Sequence, residues 1–146
     1  MNLSFSSRGW PELSWEEMQE LAIDMGFHGI EVYNLHKNPA LCDRGGAFHP
    51  YQIAATVRHL REKKLHIPCF DTSIDLSTDD SAVETLTGLL KVAKDAQVPY
   101  VVACALTENE DKVMAALRKL VVAAEQNEVS LLIKSSGIYA DTARLR

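Results

Sequence analysis

The sequence predicts an α/β domain of parallel βα units. Strand-like segments begin near residues 2, 29, 66, 99 and 129, and this spacing of about 30 residues is the length of one βα unit. The segment 99–105 is an almost continuous apolar run, which is typical of a parallel strand covered on both faces. Right-handed crossovers then give either a (β/α) barrel or a doubly wound open sheet. A Gly-x-Gly-x-x-Gly motif follows none of the predicted strands, which disfavours dinucleotide binding.

The first half of the chain begins with a strand and a capped helix. Ser14 is followed three residues later by Glu17, the pattern of a capping box, and Gly26 ends the helix. A helix over 50–64 would place Pro50 in its first turn, where proline is tolerated. The other predicted elements are strands at 2–7 and 29–34 and a loop over 35–49.

The second half repeats the alternation. Pro68 weakens the strand predicted at 65–72, because proline donates no ladder hydrogen bond. The remaining elements are helices over 79–96 and 108–127, strands over 99–105 and 129–135, and the opening of a helix at 139–146. Since the sequence stops inside this last pattern, we expect a single domain over 1–146 that is truncated at its carboxyl end.

Composition and charge exclude several classes of protein. The 146 residues carry 15 basic and 20 acidic side chains, a net charge of −5, and lack the basic patch of a nucleic-acid-binding protein. Three cysteines without a Cys-x-x-Cys pair argue against a disulfide framework and favour a cytoplasmic location. No apolar run approaches the roughly 18 residues of a transmembrane helix, so we expect no membrane association.

Two charged residues, Glu31 and Lys134, are candidate catalytic groups. Each alternates with apolar neighbours, so period-2 geometry places both on the inner face of the sheet. Glu31 either contacts a substrate hydroxyl, acts as an acid or base, or is a structural carboxylate paired with Lys134. Lys134 is either that partner, a cation for an oxyanion or phosphate, or a Schiff-base lysine.

Candidate substrate-binding residues follow the carboxyl ends of the strands, where barrel enzymes place their sites. His36 lies in the loop after the second strand, and Asp71 and Ser73 either bind a polyol or cap a turn. The full predicted set is Tyr33, His36, Asp71, Thr72, Ser73, Ser135 and Ser136.

The chain resembles the N-terminal part of the xylose isomerase-like TIM barrel superfamily, which groups sugar phosphate isomerases and epimerases with endonuclease IV. The most specific motifs are Gly-Phe-His-Gly-Ile-Glu-Val at 26–32 and the stretch from strand five into Ala-Asp-Thr-Ala-Arg-Leu at 140–145. Further matching segments are 3–7, 69–73, 98–101 and 129–133. The resemblance implies about the first five βα units of an eight-stranded barrel.

This resemblance implies a sugar phosphate isomerase or epimerase that acts by proton abstraction next to a carbonyl. Complete family members are expected to hold Mn²⁺, Mg²⁺ or Zn²⁺, but Lys134 stands where the family places its first carboxylate ligand, so we expect no metal and no cofactor in this chain. The alternative is a non-catalytic sugar-binding or assembly module. The implied partners are a small sugar or sugar phosphate and further copies of the chain at the open barrel edge. The acidic charge disfavours an endonuclease.

Overall fold

The computed structural model describes residues 2–141, without the side chain of Ile138, and shows five parallel strands in one sheet. Strand order in the sheet is the order along the chain, β1-β2-β3-β4-β5. This topology confirms the prediction of a partial barrel rather than a doubly wound sheet. The strands are β1 (Ser4–Ser6), β2 (Gly29–Tyr33), β3 (Cys69–Asp75), β4 (Tyr100–Cys104) and β5 (Ser130–Ile133).

Helices connect the strands. They are α1 (Trp15–Asp24), α2 (Pro39–Cys42), α3 (Ile53–Glu62), α4 (Ala82–Asp95) and α5 (Glu110–Asn127), with 3₁₀ turns at Ser7–Gly9, Leu35–Lys37 and Gly137–Tyr139. Among the described residues, no helix is long and apolar enough to cross a membrane. The sequence also predicts a helix at 139–146, and its positions 142–146 lie outside the described residues.

The start of α1 matches its predicted capping box. Ser14 Oγ accepts the backbone N–H of Glu17 at 3.2 Å, and Glu17 Oε2 accepts the backbone N–H of Ser14 at 2.7 Å. At the other end Gly26 adopts φ +73°, a left-handed conformation that costs glycine little. Local sequence therefore sets both ends of this helix.

The two faces of the sheet differ sharply in burial. One face packs under the helices, where Ile30, Phe70 and Val101 are fully buried. The other face is concave in a barrel, and Tyr100 and Leu132 on it are each 43% exposed. Side-chain alternation along each strand thus separates an apolar core from an open inner face.

Strand β3 begins four residues later than predicted. Pro68 precedes it, and a proline N cannot donate to the ladder, so only His66 of the predicted opening forms a bridge, to Gly29. The pairing with β4 shifts register between Asp71 and Asp75, which marks a bulge. The strand also runs on to Asp75, so Asp71, Thr72 and Ser73, which were predicted to end it, lie within it.

The loop before α3 is fixed by aromatic packing. Phe48 lies edge-on to Trp15 at 5.2 Å and to Phe70 at 5.5 Å between ring centroids. Helix α3 begins at Ile53, so Pro50 lies in the preceding turn and not in the first helical turn as predicted. The proline that opens a helix here is Pro39, at the start of α2.

Candidate functional site

An ion pair dominates the concave face near the carboxyl ends of the strands. Lys134 Nζ lies 2.8 Å from Asp71 Oδ1 and 2.9 Å from Oδ2. The ammonium thus straddles the carboxylate, with hydrogen-bond geometry toward Oδ2. The Asp71 side chain is 12% exposed and that of Lys134 36%, so ligand and solvent reach the pair mainly from the lysine side.

The predicted pairing of Lys134 with Glu31 is wrong, and strand register explains why. Asp71 is level with Tyr33 on β2 and, through Val102, with Leu132 on β5. Glu31 lies two residues before Tyr33, while Lys134 follows Leu132 by two residues. The lysine therefore reaches Asp71 and leaves Glu31 deeper in the concave face.

Glu31 instead contacts Cys69. The thiol donates a hydrogen bond to Glu31 Oε2 at an Sγ–O distance of 3.5 Å. Burial, reinforced by the negative charges of Glu31 and Asp71, raises the pKa of Cys69 to about 12. This thiol is consequently protonated at neutral pH and serves as a hydrogen-bond donor rather than a nucleophile.

Asn34 positions Ser73 at the rim of the concave face. Asn34 adopts φ 49°, a left-handed conformation for which asparagine is enriched. Its Oδ1 accepts the backbone N–H and the hydroxyl of Ser73, both at 2.8 Å, and its own N–H donates to the Asp71 carbonyl at 2.8 Å. Ser73 therefore presents oxygen lone pairs, not a free O–H, to a ligand.

Thr72 does not lie on the concave face, which corrects its prediction as a substrate-binding residue. Its side chain is fully buried with Phe70 and Ile74 under the helices. The hydroxyl donates to the Val102 carbonyl at 2.7 Å and accepts the Ile74 N–H at 3.3 Å. It satisfies backbone groups that the β3 bulge leaves out of the ladder.

The other predicted residues lie around the mouth of the half-barrel. Tyr33 is half-buried beneath the Arg8 guanidinium, 5.1 Å from its ring centroid. Burial, with help from the Lys37 charge, lowers the pKa of His36, and its Nδ1 is buried without a partner among the described residues. Ser135 is exposed and Ser136 half-buried in the loop after β5.

Asp75 is a structural carboxylate that the sequence did not single out. Burial alone would raise its pKa, but hydrogen bonds from Ser77, Thr78 and the Leu106 N–H outweigh burial and hold the pKa below its usual value. These bonds tie the loop after β3 to the end of β4. Asp75 therefore organises the rim of the face and is fully engaged within it.

The described residues of this face do not suit a divalent cation. In residues 2–141, no group of three or more His, Cys, Asp or Glu side chains is arranged so that it could hold a metal ion. Asp71, the best-placed carboxylate, already holds the Lys134 ammonium, which would repel a dication 4 Å away by about 8 kcal/mol at an effective dielectric constant near 20. An amine is also a poor ligand for Mg²⁺ and Mn²⁺, which prefer oxygen.

Comparison with known proteins supports the fold. No protein-family model and no curated protein matches the chain. It is similar to the crystal structure of AsbF from Bacillus anthracis, a probable 3-DHS dehydratase involved in petrobactin synthesis, with TM-score 0.76 and 16% identity over 95% of this chain and 54% of that one. It is also similar to the crystal structure of an IolI protein with a bound zinc atom. The TM-score is 0.72 at 20% identity, over 91% of this chain and 51% of that one.

A third similar structure is a xylose isomerase domain-containing protein from Salmonella typhimurium LT2. Its TM-score is 0.66 at 16% identity, over 89% of this chain and 47% of that one. The chain thus spans about half the length of the structures it matches. These likenesses confirm the predicted resemblance at the level of fold, the N-terminal part of a xylose isomerase-like barrel.

Proposed function

We propose that the concave face binds a small sugar or sugar phosphate as part of an isomerase- or epimerase-like barrel of the cytoplasm. The observation that carries this proposal is the ion pair between Asp71 and Lys134, set among Glu31, Cys69 and Ser73 on one open face. Sugar hydroxyls need donors and acceptors at close spacing, and this face offers both. The chain is similar in fold to a probable dehydratase and to a zinc-containing structure, and barrel enzymes carry their sites at the carboxyl ends of the strands.

In the catalytic form of this proposal, Glu31 acts as the base and Lys134 stabilises the negative charge that develops. The Glu31 carboxylate takes a proton from the carbon next to a carbonyl, and the Lys134 ammonium stabilises the enolate oxygen that develops. Glu31 lies two residues before the level of Asp71 and Lys134 two residues beyond it. One bound sugar would therefore lie along the strands between these two groups.

A non-catalytic sugar-binding module is the second candidate. The observation that favours it is the match between Lys134 and Asp71, since a carboxylate already neutralised by an ammonium is a weaker base and metal ligand. In this form the same face holds the sugar by hydrogen bonds alone, and Glu31 remains paired with the Cys69 thiol.

Xylose titration of the 146-residue chain tests binding. We expect saturable changes in the backbone amide NMR signals of Asp71 and Ser73, and about tenfold weaker binding in Ser73→Ala and Asp71→Asn, because each loses a hydrogen bond of roughly 1 to 3 kcal/mol. Asp95→Asn is the control, since Asp95 is exposed at the end of α4. Xylose that leaves these signals unchanged contradicts the proposal.

Proton exchange measured in heavy water distinguishes the isomerase from the non-catalytic sugar-binding module. Deuterium incorporation next to the carbonyl of fructose 6-phosphate, lost in Glu31→Gln, supports the isomerase. Binding without exchange supports the sugar-binding module.

The proposal also includes self-association of this chain through its open barrel edge. Tyr100 and Leu132 expose apolar surface on the concave face, and among residues 2–141 no further strand pairs with the outer edge of β5. A groove of about 440 Å³ runs beside it, lined in part by Leu117, Val121 and Leu131. Since such edges and patches recruit other chains, a second copy is the occupant we propose.

Sedimentation velocity at tens of micromolar measures this association. We expect a mass at least twice that of one 16.2 kDa chain. Leu132→Lys, which puts a charge on the exposed apolar face, shifts the chain toward monomer. Lys119→Gln on the exposed side of α5 serves as the control, and a wild-type chain that stays monomeric throughout rules the second copy out.

A further inference from the structure

We infer that a second cavity, at the carboxyl ends of β1 and β2, binds an anionic group, a phosphate or a carboxylate, carried by the ligand. This inference rests on the proposed function, because it names the charged end of the molecule whose hydroxyls lie on the concave face. The cavity adjoins that face through Tyr33, which is level with Asp71 in the sheet.

The cavity has an apolar floor and a polar rim. Its volume is about 370 Å³, within the range of small-ligand pockets. The floor is formed by four buried side chains, Trp15, Met18, Val32 and Leu41. The rim is formed by Ser7, Arg8, Tyr33, Asn34, Lys37 and Asn38.

Charge on the rim has one sign. Arg8 and Lys37 are exposed there, and none of the described residues that line the cavity is Asp or Glu. Neither cation takes part in an ion pair with another described residue. In a protein of net charge −5, two unpaired cations on one cavity make a local positive site that attracts anions.

The rim is also held in place before a ligand arrives. Ser7 Oγ accepts the Tyr33 N–H at 2.9 Å, which fixes the turn that carries Arg8. The Arg8 guanidinium rests on the Tyr33 ring, a cation–π contact that orients it. Asn34, held by Ser73, sets the start of the turn that carries Lys37. Preorganised donors of this kind lose little entropy on binding.

Oxyanions fit this rim better than neutral sugars do. The planar guanidinium of Arg8 donates two parallel hydrogen bonds to a phosphate or carboxylate, and Lys37 adds a point charge. A neutral sugar would leave both charges without a counter-ion. The cavity therefore selects ligands that carry an acidic group.

Inorganic phosphate, and acetate in a separate arm, test this site at constant ionic strength. We expect saturable changes in the backbone amide NMR signals of Arg8 and Lys37. Arg8→Gln and Lys37→Gln each weaken binding about tenfold, because each removes a charge-assisted hydrogen bond, and the double variant abolishes saturation. Arg118→Gln, an exposed cation on α5, leaves binding unchanged.

Linear changes without saturation, or wild-type binding by the double variant, overturn the inference. Both side chains are exposed, so their removal leaves the fold intact, which the remaining amide signals verify. Xylose binding without phosphate or acetate binding rejects the anion site and keeps the proposed function. Phosphate binding at Arg8 and Lys37, with no response of Asp71 and Ser73 to xylose or to fructose 6-phosphate, rejects the proposed function and keeps the anion site. A response to acetate extends the site to carboxylates.

Discussion

Replacing Lys134 with Met is expected to lower the free energy of unfolding by about 2 kcal/mol. The substitution keeps the aliphatic length but leaves the Asp71 carboxylate, 12% exposed, without its counter-ion. Fully buried pairs lose about 3 to 5 kcal/mol when one partner is removed. Because Lys134 is one-third exposed, solvent screening reduces that figure.

Urea denaturation measures the loss, and a double-mutant cycle assigns it to the pair. Combining Lys134→Met with Asp71→Asn should recover much of the stability, since no charge is then left unpaired. Lys91→Met, on an exposed position of α4, is the matched control. A loss in Lys134→Met no larger than in this control would show that the ion pair adds nothing to the fold.

Phe70→Ala should lower the free energy of unfolding by about 4 kcal/mol. Phe70 is fully buried in the central strand, and its ring holds Phe48, which in turn holds Trp15. Truncation leaves a cavity and releases the loop before α3. A chain with 5 to 15 kcal/mol of total stability loses a large part of it.

The same denaturation experiment checks this expectation. Phe70→Leu keeps most of the volume and should lose about 1.5 kcal/mol or less. Tyr51→Ala removes an aromatic ring that is 86% exposed and should stay within about 0.5 kcal/mol of the wild type. Equal losses in Phe70→Ala and Tyr51→Ala would mean that the ring stack does not anchor the loop.

Local signals in the sequence account for most of the architecture. The capping box at Ser14 and Glu17 and the glycine at position 26 fix α1 through backbone hydrogen bonds among neighbours. The apolar run that forms β4 is recognisable as a parallel strand from its composition alone, although Tyr100 on its concave face is 43% exposed rather than covered. Elements of this kind depend on residues close in the chain.

The candidate site is harder to predict from the sequence, because its contacts depend on how distant strands are aligned in the sheet. Period 2 places Lys134 on the correct face, but only the pairing of β2 to β5 shows that it lies two residues beyond the level of Asp71 and four beyond that of Glu31. Thr72 lies on the buried face by simple alternation, in phase with Phe70 and Ile74, so period 2 alone excludes it from the concave face. Asn34 offered one usable signal, since asparagine directly after a strand favours the left-handed conformation that orients Ser73.

The parallel direction of every strand restricts how two copies can meet. A two-fold symmetric contact between two β5 edges would pair them antiparallel. To continue the sheet with parallel strands, β5 of one copy must instead lie beside β1 of the next. That contact is heterologous, so each copy keeps one edge unsatisfied unless a second contact closes the ring. A closed pair stops growing at two chains, while a rotation that misses closure yields a filament whose length rises with protein concentration.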